Sequence, residues 1–233
     1  MSDLSNPVPI SSIPSLNAGL TSAHSSTMTS VLGAPREPLV QNACRNNQAS
    51  SVVTQLLETR RMTPIFRLTG IKPALDSVEA VLAKVTVAHP ELIAVLDTEG
   101  MICVRHKKPT NGSFSSDPSN HSWGTAVDFK LTGGIAPGAT GTTVPQWVAM
   151  LVPFFNLAGW FSGISFSDAM HFEVADETIR KWSRDGLLGA RGLNEPVAVA
   201  GREGNGASMN IAQGNPSIFS PVTGFISRLF GQG

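Results

Sequence analysis

Hydrophobic positions in the middle of the chain recur with two different periods. Residues 66–70, FRLTG, alternate between apolar and polar side chains and end in glycine, which predicts a short strand. Pro73 follows and is a favoured residue at a helix start. Apolar residues then recur at helical spacing, as Ala74, Val78, Val81, Leu82 and Val85. We therefore predict a helix that begins near Pro73 and stops before Pro90.

The same mixture of periods continues to residue 188. Residues 100–105, GMICVR, are apolar and β-prone and predict a buried strand, and residues 121–131 predict a strand preceded by a tight turn. Residues 143–159 predict a helix, residues 164–174 a strand or strand approach, and residues 175–188 a helix closed by glycine. Because these elements do not alternate as regular βαβ units, we predict an α+β fold with a small, mostly antiparallel sheet flanked by helices.

The two ends of the chain differ from this centre. Residues 1–33 are rich in Ser, Pro, Thr and Asn without an apolar period, and predict a flexible extension before a domain at 34–188. Residues 189–233 predict a polar linker and a short amphipathic helix, whose apolar face is Val222, Phe225, Ile226, Leu229 and Phe230. That helix either docks a partner, a delivery machine or a membrane surface, or folds back on the domain.

Charge and hydropathy exclude several classes of function. Lys+Arg and Asp+Glu both number 17, so no basic field favours nucleic acid or an anionic membrane. The longest apolar region is broken by Pro153, so we expect no transmembrane segment. The first 20 residues lack the basic and apolar regions of a standard signal peptide. We therefore expect synthesis in the cytoplasm, with any action outside it following lysis or dedicated export.

The chain has two cysteines, Cys44 and Cys103. They are either two buried thiols or one disulfide that ties the N-terminal part to the core, and they cannot form a zinc site alone.

Two of the five histidines lie in apolar, strand-like contexts with carboxylates nearby. His121 is followed by Asp128 seven residues later, while His171 has Asp168 three residues before it and Glu173 two after it. Catalytic zinc uses three His or Asp/Glu ligands and an open fourth position, and His121, Asp128 and His171 supply such a set. The remaining histidines are expected at the surface: His24, His89 and His106.

The seven-residue separation constrains the backbone. In a straight strand His121 and Asp128 would face opposite sides, so they share one ion only if the chain turns between them. Gly124 allows such a turn, and the small Ala126 leaves space near the metal. The alternative is an ordinary hydrogen-bonded His–Asp pair.

These residues resemble those of the zinc D-Ala-D-Ala metallopeptidases and the L-alanyl-D-glutamate endopeptidases. The family pattern S-x-H-x-x-G-x-A-x-D is matched at every specified position, as Ser119, His121, Gly124, Ala126 and Asp128. The second family element, an acidic residue and two spacers before His, is Asp168-Ala-Met-His171. The resemblance covers about residues 65–185. Many members have Glu where Asp168 stands and Trp where Met170 stands; the endopeptidase-like branch uses Asp.

The resemblance implies a role for each site residue. His121, Asp128 and His171 would bind Zn²⁺, Asp168 would be the general base, and Arg105, after an earlier strand, would hold substrate or developing charge. We assign substrate binding to Ser119, Trp123 and Glu173. Two alternatives stay open: Trp123, like Trp160, packs in the core, and Glu173 is a ligand, a base or the partner that orients an imidazole N–H.

The implied function is hydrolysis of peptidoglycan stem peptides, which contain D-amino acids. The enzyme would act at the cell wall or periplasm as a phage lysin or an exported antibacterial effector, with a delivery or immunity partner that contacts the C-terminal helix. One alternative is a non-catalytic zinc-binding module that recognises wall peptides or a protein, since related hedgehog-type domains keep the zinc site and are known for signalling. A second is a structural protein without metal.

Overall fold

The computed structural model describes residues 4–36, 44, 48–107, 115–134, 137 and 141–189. The strands within these residues are β1 (Pro7–Pro9), β2 (Leu57–Arg61), β3 (Arg67–Ile71), β4 (Leu96–Gly100), β5 (Ala126–Leu131), β6 (Thr143–Pro145), β7 (Trp160–Ser162) and β8 (His171–Val174). The α-helices are α1 (Ser25–Leu32), α2 (Ser51–Thr54), α3 (Lys72–Ala88), α4 (Pro90–Ile93), α5 (Gln146–Leu157) and α6 (Asp176–Arg184). This mixture of helices and small antiparallel sheets confirms the predicted α+β fold.

The largest sheet has four strands in the order β4-β5-β8-β7, and every neighbouring pair is antiparallel. Its central pair aligns Asp128 with His171 and Ala126 with Glu173. Side chains alternate between the two faces of a strand, so these four residues lie on one face. Phe129 and the neighbouring core positions lie on the other. Two short sheets, β1-β6 and β2-β3, complete the strand pairing seen in the described residues.

An aromatic cluster forms the core behind the central strands. Its members are all fully buried, with neighbouring ring centroids 4.5–6.1 Å apart: Phe129, Phe155, Phe172 and Trp160. Helix α5 contacts β7, and α3 contacts both α5 and β3. The apolar face predicted for α3 is buried, and the helix ends at Ala88, before Pro90, as predicted. This packing fixes β5 and β8 and leaves their opposite faces for polar chemistry.

One predicted strand does not form at the predicted residues. The sequence predicts a buried strand over residues 100–105, but β4 ends at Gly100. The following segment has no regular structure, although Met101 and Val104 are buried. It is held by contacts with the turn that precedes β5, because the Cys103 N–H donates to the His121 carbonyl at 3.0 Å. The apolar residues of this segment therefore predicted its burial correctly, but they did not predict that it lacks strand pairing.

The predicted flexible extension over residues 1–33 is wrong for residues 4–33, which pack on the domain. Strand β1 pairs with β6, and α1 buries Met28, Val31 and Leu32. The small polar side chains that suggested flexibility bond to the domain instead; Asn17, for example, donates to the Ser162 carbonyl at 2.9 Å. Met28, Val31 and Leu32 do have helical spacing, but three residues over little more than one turn are too few to stand out as a period.

The C-terminal predictions lie outside the described residues. Residues 190–233 include most of the predicted linker and the whole predicted amphipathic helix. In the part of the chain that is described, no helix has the length and apolar character needed to cross a membrane. The two cysteines form a disulfide, Cys44–Cys103, with Cα atoms 4.8 Å apart.

Candidate metal centre

A tight turn brings His121 to the start of the central strand. Residues Asn120–Trp123 form a single 3-10 turn, which Gly124 ends in the left-handed conformation at φ 65°. A Cβ atom at Gly124 would lie 2.7 Å from the Cα atom of Gly70, so both the backbone angle and the space require glycine. Strand β5 then begins at Ala126. This is the turn that the spacing of His121 and Asp128 predicted.

The other two residues meet across the sheet. Asp128 on β5 and His171 on β8 are register partners in an antiparallel pair. Their atoms Oδ1 and Nδ1 are 2.9 Å apart. The third atom, Nε2 of His121, lies 3.1 Å from each of them. Residues from a turn and two strands therefore converge, and all three are buried.

The size of this triangle suits a metal ion. A tetrahedral zinc ion with bonds of about 2.0–2.1 Å holds its ligand atoms about 3.3 Å apart. The observed separations of 2.9–3.1 Å are close to that value. Within the described residues, this is the one group of three or more His, Cys, Asp or Glu side chains with metal-binding geometry.

Outer hydrogen bonds fix which imidazole nitrogens are free to bind. Nδ1 of His121 lies 2.9 Å from the Met101 carbonyl oxygen, which can only accept, so this nitrogen donates. Nε2 of His171 lies 2.9 Å from the Glu173 carboxylate and also donates. In neutral rings the inner nitrogens then present lone pairs towards Asp128. With both rings neutral, the site holds three acceptors and no donor between them, so either a metal ion or a proton on His171 must balance it.

The charges of the site follow from the same contacts. Burial would raise the pKa of Asp128, but the neighbouring His121 and His171 outweigh it and hold that pKa well below its usual range. Burial would lower the pKa of His171, but its hydrogen bonds to Asp128 and Glu173 raise this pKa to about 10. The metal-free site therefore keeps a proton on His171, in the position where a metal ion would replace it.

Glu173 supports His171 and is only 4% exposed. Its atom Oε2 accepts from His171 and from Nδ2 of Asn120, at 2.9 and 2.7 Å, while Oε1 accepts from the Ser22 hydroxyl. Burial would raise its pKa, but the hydrogen bonds from His171 and the two polar neighbours lower it. Both oxygens are engaged within the protein, which fits the alternative of orienting an imidazole N–H, and the predicted substrate contact stays a prediction.

Asp168 lies at the end of the loop that leads into β8. Its N–H donates to the Gly163 carbonyl at 2.9 Å, and its own carbonyl accepts from the His171 N–H at 3.2 Å. A Cβ atom at Gly163 would lie 2.5 Å from that carbonyl oxygen, so the loop closes tightly on itself. The half-buried Asp168 carboxylate has no hydrogen bond to any described residue. It is therefore available to a bound water or substrate.

Arg105 lies in the irregular segment after β4, not at the end of a strand as predicted. Its N–H donates to the Ser122 hydroxyl at 3.1 Å, and its carbonyl accepts from the Ser119 N–H at 2.9 Å. Burial lowers the pKa of its guanidinium, an effect opposed by the charges of Asp128 and Asp168. The guanidinium is thus close enough to Asp128 and Asp168 for both of their charges to act on it.

The remaining predicted substrate contacts are buried. Trp123 is fully buried, and its Nε1–H donates to the Gly33 carbonyl at 2.8 Å. Like Trp160, it packs in the core, which fits the alternative, and its predicted contact with substrate stays a prediction. Ser119 is 6% exposed and precedes the turn that carries His121, so it is also placed to support that turn.

Comparison with known families supports the same centre. Residues 113–174 match the family model of D-alanyl-D-alanine carboxypeptidase. The matched range spans roughly a quarter of the chain and contains His121, Asp128, Asp168 and His171. It confirms the resemblance over these residues and, with the converging triad, indicates a metallopeptidase. Comparison with curated proteins and with solved structures gave no match.

Several residues around the centre lie outside the D-alanyl-D-alanine carboxypeptidase match, and others inside it were not predicted from the sequence. Arg105, the Met101 carbonyl and Ser22 precede the matched range. Asn120 lies inside it, at an unspecified position of the motif. A backbone carbonyl and a serine far from the motif give no local signal. The amide of Asn120, next to the candidate ligand His121, could have been predicted as a partner for a nearby carboxylate.

Proposed function

We propose that the protein is a zinc-dependent peptidase that hydrolyses peptidoglycan stem peptides at bonds involving D-amino acids. The observation that supports it most directly is the convergence of three possible ligand atoms, 2.9–3.1 Å apart, from His121, Asp128 and His171. The residues fit the metal, because their outer hydrogen bonds leave nitrogen and oxygen donors of the kind that zinc prefers. Two neutral imidazoles and one carboxylate leave the zinc site with a net positive charge.

A bound zinc ion would supply a water of lowered pKa and an electrophile for the peptide carbonyl. Asp168 is the proton carrier in our proposal. Its carboxylate takes a proton from the attacking water and returns it to the leaving amine. Its lack of any hydrogen bond to the described residues suits this role, because a base must be free to bond to the reacting water.

Arg105 is the second catalytic group in our proposal. Its guanidinium is close enough to Asp128 and Asp168 for their charges to act on it. A cation in this position stabilises the negative charge that develops on the carbonyl oxygen, and such a donor typically lowers the barrier by about 2.7–4 kcal/mol. Partial burial strengthens the interaction because it reduces screening by water.

The substrate proposal is supported by the match to the D-alanyl-D-alanine carboxypeptidase family and by both motifs in the expected order. Such peptides lie in the cell wall or periplasm, so we propose action there, as a phage lysin or an exported antibacterial effector. Expression in a bacterium tests this site of action. Protein directed to the periplasm should lyse the cells, while cytoplasmic protein and a periplasmic Asp168→Asn variant should not.

Digestion of purified muropeptides, read by mass spectrometry, tests the chemistry. We expect loss of a terminal D-alanine for a carboxypeptidase, or two fragments for an endopeptidase. Both activities should disappear on chelation and return with zinc. Zinc bound at one ion per chain without cleavage of any muropeptide would instead favour a non-catalytic zinc-binding module, and absence of any bound metal would contradict both functions.

A further inference from the structure

Residues Ser22 and Ala23 lie against the metal centre, although they precede its first ligand by about 100 positions. The Ser22 hydroxyl donates to Oε1 of Glu173. The Ala23 carbonyl accepts from Nδ2 of Asn120 at 3.2 Å, and the same nitrogen donates to Oε2 of Glu173 at 2.7 Å. Both oxygens of Glu173 are thus connected to the N-terminal part of the chain.

The chemistry of these contacts fixes the amide of Asn120. Its two partners, the Ala23 carbonyl and the Glu173 carboxylate, can only accept hydrogen bonds. The amide must therefore present its NH₂ group to both. In this orientation Asn120 joins the N-terminal chain to the carboxylate that receives the N–H of His171.

The N-terminal chain is anchored independently on both sides of Ser22. The Asp176 N–H donates to the Thr21 carbonyl at 3.0 Å, and the His24 N–H donates to the Asp176 carboxylate at 3.3 Å. Ala23 is itself buried, at 1% exposure. The Ser22 hydroxyl is therefore placed by backbone contacts and does not depend on Glu173 for its position.

We propose that Ser22 and the Ala23 carbonyl are positioning groups of the metal centre. They hold Glu173, directly and through Asn120, so that His171 keeps Nε2 as a donor and turns Nδ1 towards the metal. Outer partners of metal-bound histidines set the tautomer and the ring orientation in this way. The inference rests on the proposed metal site, and it makes the N-terminal segment part of that site.

Zinc affinity measured by competition with a chelator tests the proposal in the full-length protein. Ser22→Ala should weaken zinc binding by about 3- to 10-fold, less than the roughly 10- to 100-fold typical of direct outer partners, because Ser22 acts one bond further away. Ser22→Thr keeps the hydroxyl and should restore the affinity.

Thr21→Ala is the matched control. It removes a neighbouring hydroxyl–carboxylate bond of the same kind, from Thr21 to Glu177, which contacts no metal-binding residue. We expect its zinc affinity to remain within about twofold of the unmodified protein. The melting temperatures of the metal-free variants should be similar, which separates an effect on positioning from a loss of stability.

The results distinguish the two proposals. An unmodified protein that binds zinc, with Ser22→Ala and Thr21→Ala binding it equally well, would overturn the positioning role and leave the proposed function standing. Equal weakening in both variants would also overturn it, because the effect would then be a general loss of packing. An unmodified protein that binds no zinc would overturn the metal site and this inference together.

Discussion

Asp128 and His171 face each other across β5 and β8, with the Asp128 Oδ1 and His171 Nδ1 atoms 2.9 Å apart. Neither residue is near the other in sequence, so the antiparallel register creates the contact. His121 joins them from the turn that precedes β5. The site therefore depends on a turn, a strand pair and the outer hydrogen bonds that orient both rings, and each of these can be tested separately.

Replacement of the proposed base should separate metal binding from turnover. Asp168→Asn keeps the shape of the side chain and removes its ability to accept a proton. We expect unchanged zinc content and a fall in kcat of about 10²- to 10⁴-fold on muropeptides. Metal analysis and steady-state kinetics on the same preparation check this. Wild-type turnover in the variant would exclude Asp168 as the base.

Replacement of a ligand should remove both properties. His121→Ala leaves two of the three converging atoms, so zinc content and turnover should both be lost. His24→Ala is the control, because His24 is exposed and outside the cluster. Elemental analysis after dialysis decides the outcome, and stoichiometric zinc in His121→Ala would rule out the triad.

Zinc affinity should rise with pH. The pKa of His171 in the metal-free protein is raised to about 10, compared with its ordinary 6.5, so the ring keeps its proton at neutral pH. Zinc must displace that proton, and one released proton gives about a tenfold gain in affinity per pH unit below the raised pKa. Chelator competition at several pH values between about 6.5 and 8.5 measures the slope. A slope of zero would contradict a protonated His171.

The same raised pKa predicts the stability of the metal-free protein. A group whose pKa is higher in the folded state stabilises the fold most below its unfolded pKa, and that contribution disappears as pH rises through the folded value. The stabilisation from His171 should therefore be lost progressively, and the free energy of unfolding should fall, as pH rises from about 6.5 to about 10. Urea unfolding with chelator present checks the direction, and a His171→Gln variant should lose this part of the pH dependence.

Gly124→Ala should disrupt the turn that places His121. Gly124 has φ 65°, and a new Cβ atom would lie 2.7 Å from Gly70. Gly133→Ala is the matched control, because Gly133 has φ 69° with open space around it. The control should lose about 1–2 kcal/mol of stability from the backbone angle alone, and Gly124→Ala considerably more, with loss of zinc. Equal losses in urea unfolding would show that the close approach to Gly70 is unimportant.

The disulfide should stabilise the segment that contains Arg105. Cys44 and Cys103 close a loop with a sequence separation of 59, and the loss of such a bridge typically costs about 2–5 kcal/mol. A reductant should therefore lower the melting temperature of the unmodified protein. A Cys44→Ser and Cys103→Ser double variant should start at the lower value and not respond to reductant. If reduction has no effect on the unmodified protein, the bridge contributes no stability.

The sequence predicts the candidate site of this protein better than it predicts where the strands begin and end. Residue type, spacing and the family resemblance single out His121, Asp128 and His171, and the structure brings these three side chains together. The sequence also predicts α3, whose apolar face is regular. It does not predict that residues 100–105 leave the sheet, since burial and strand pairing are separate properties and only burial follows from hydrophobicity.

The N-terminal part shows a second kind of failure. A segment rich in Ser, Thr and Asn, such as residues 4–33, usually does not fold alone. They order because the domain supplies partners, such as the Ser162 carbonyl for Asn17 and Glu173 for Ser22. Polar contacts between residues so far apart in the sequence cannot be predicted from a local pattern of residues.

The packing of α1 and β1 has a practical consequence for recombinant work. A fragment cut to the motif-bearing region would uncover Trp123, whose indole now donates to the Gly33 carbonyl, and would strip Glu173 of its serine partner. Such a fragment would be expected to aggregate and to load metal poorly, even with every ligand present. Expression vectors should therefore retain the chain from its first residues and place any affinity tag on a long spacer ahead of Leu4.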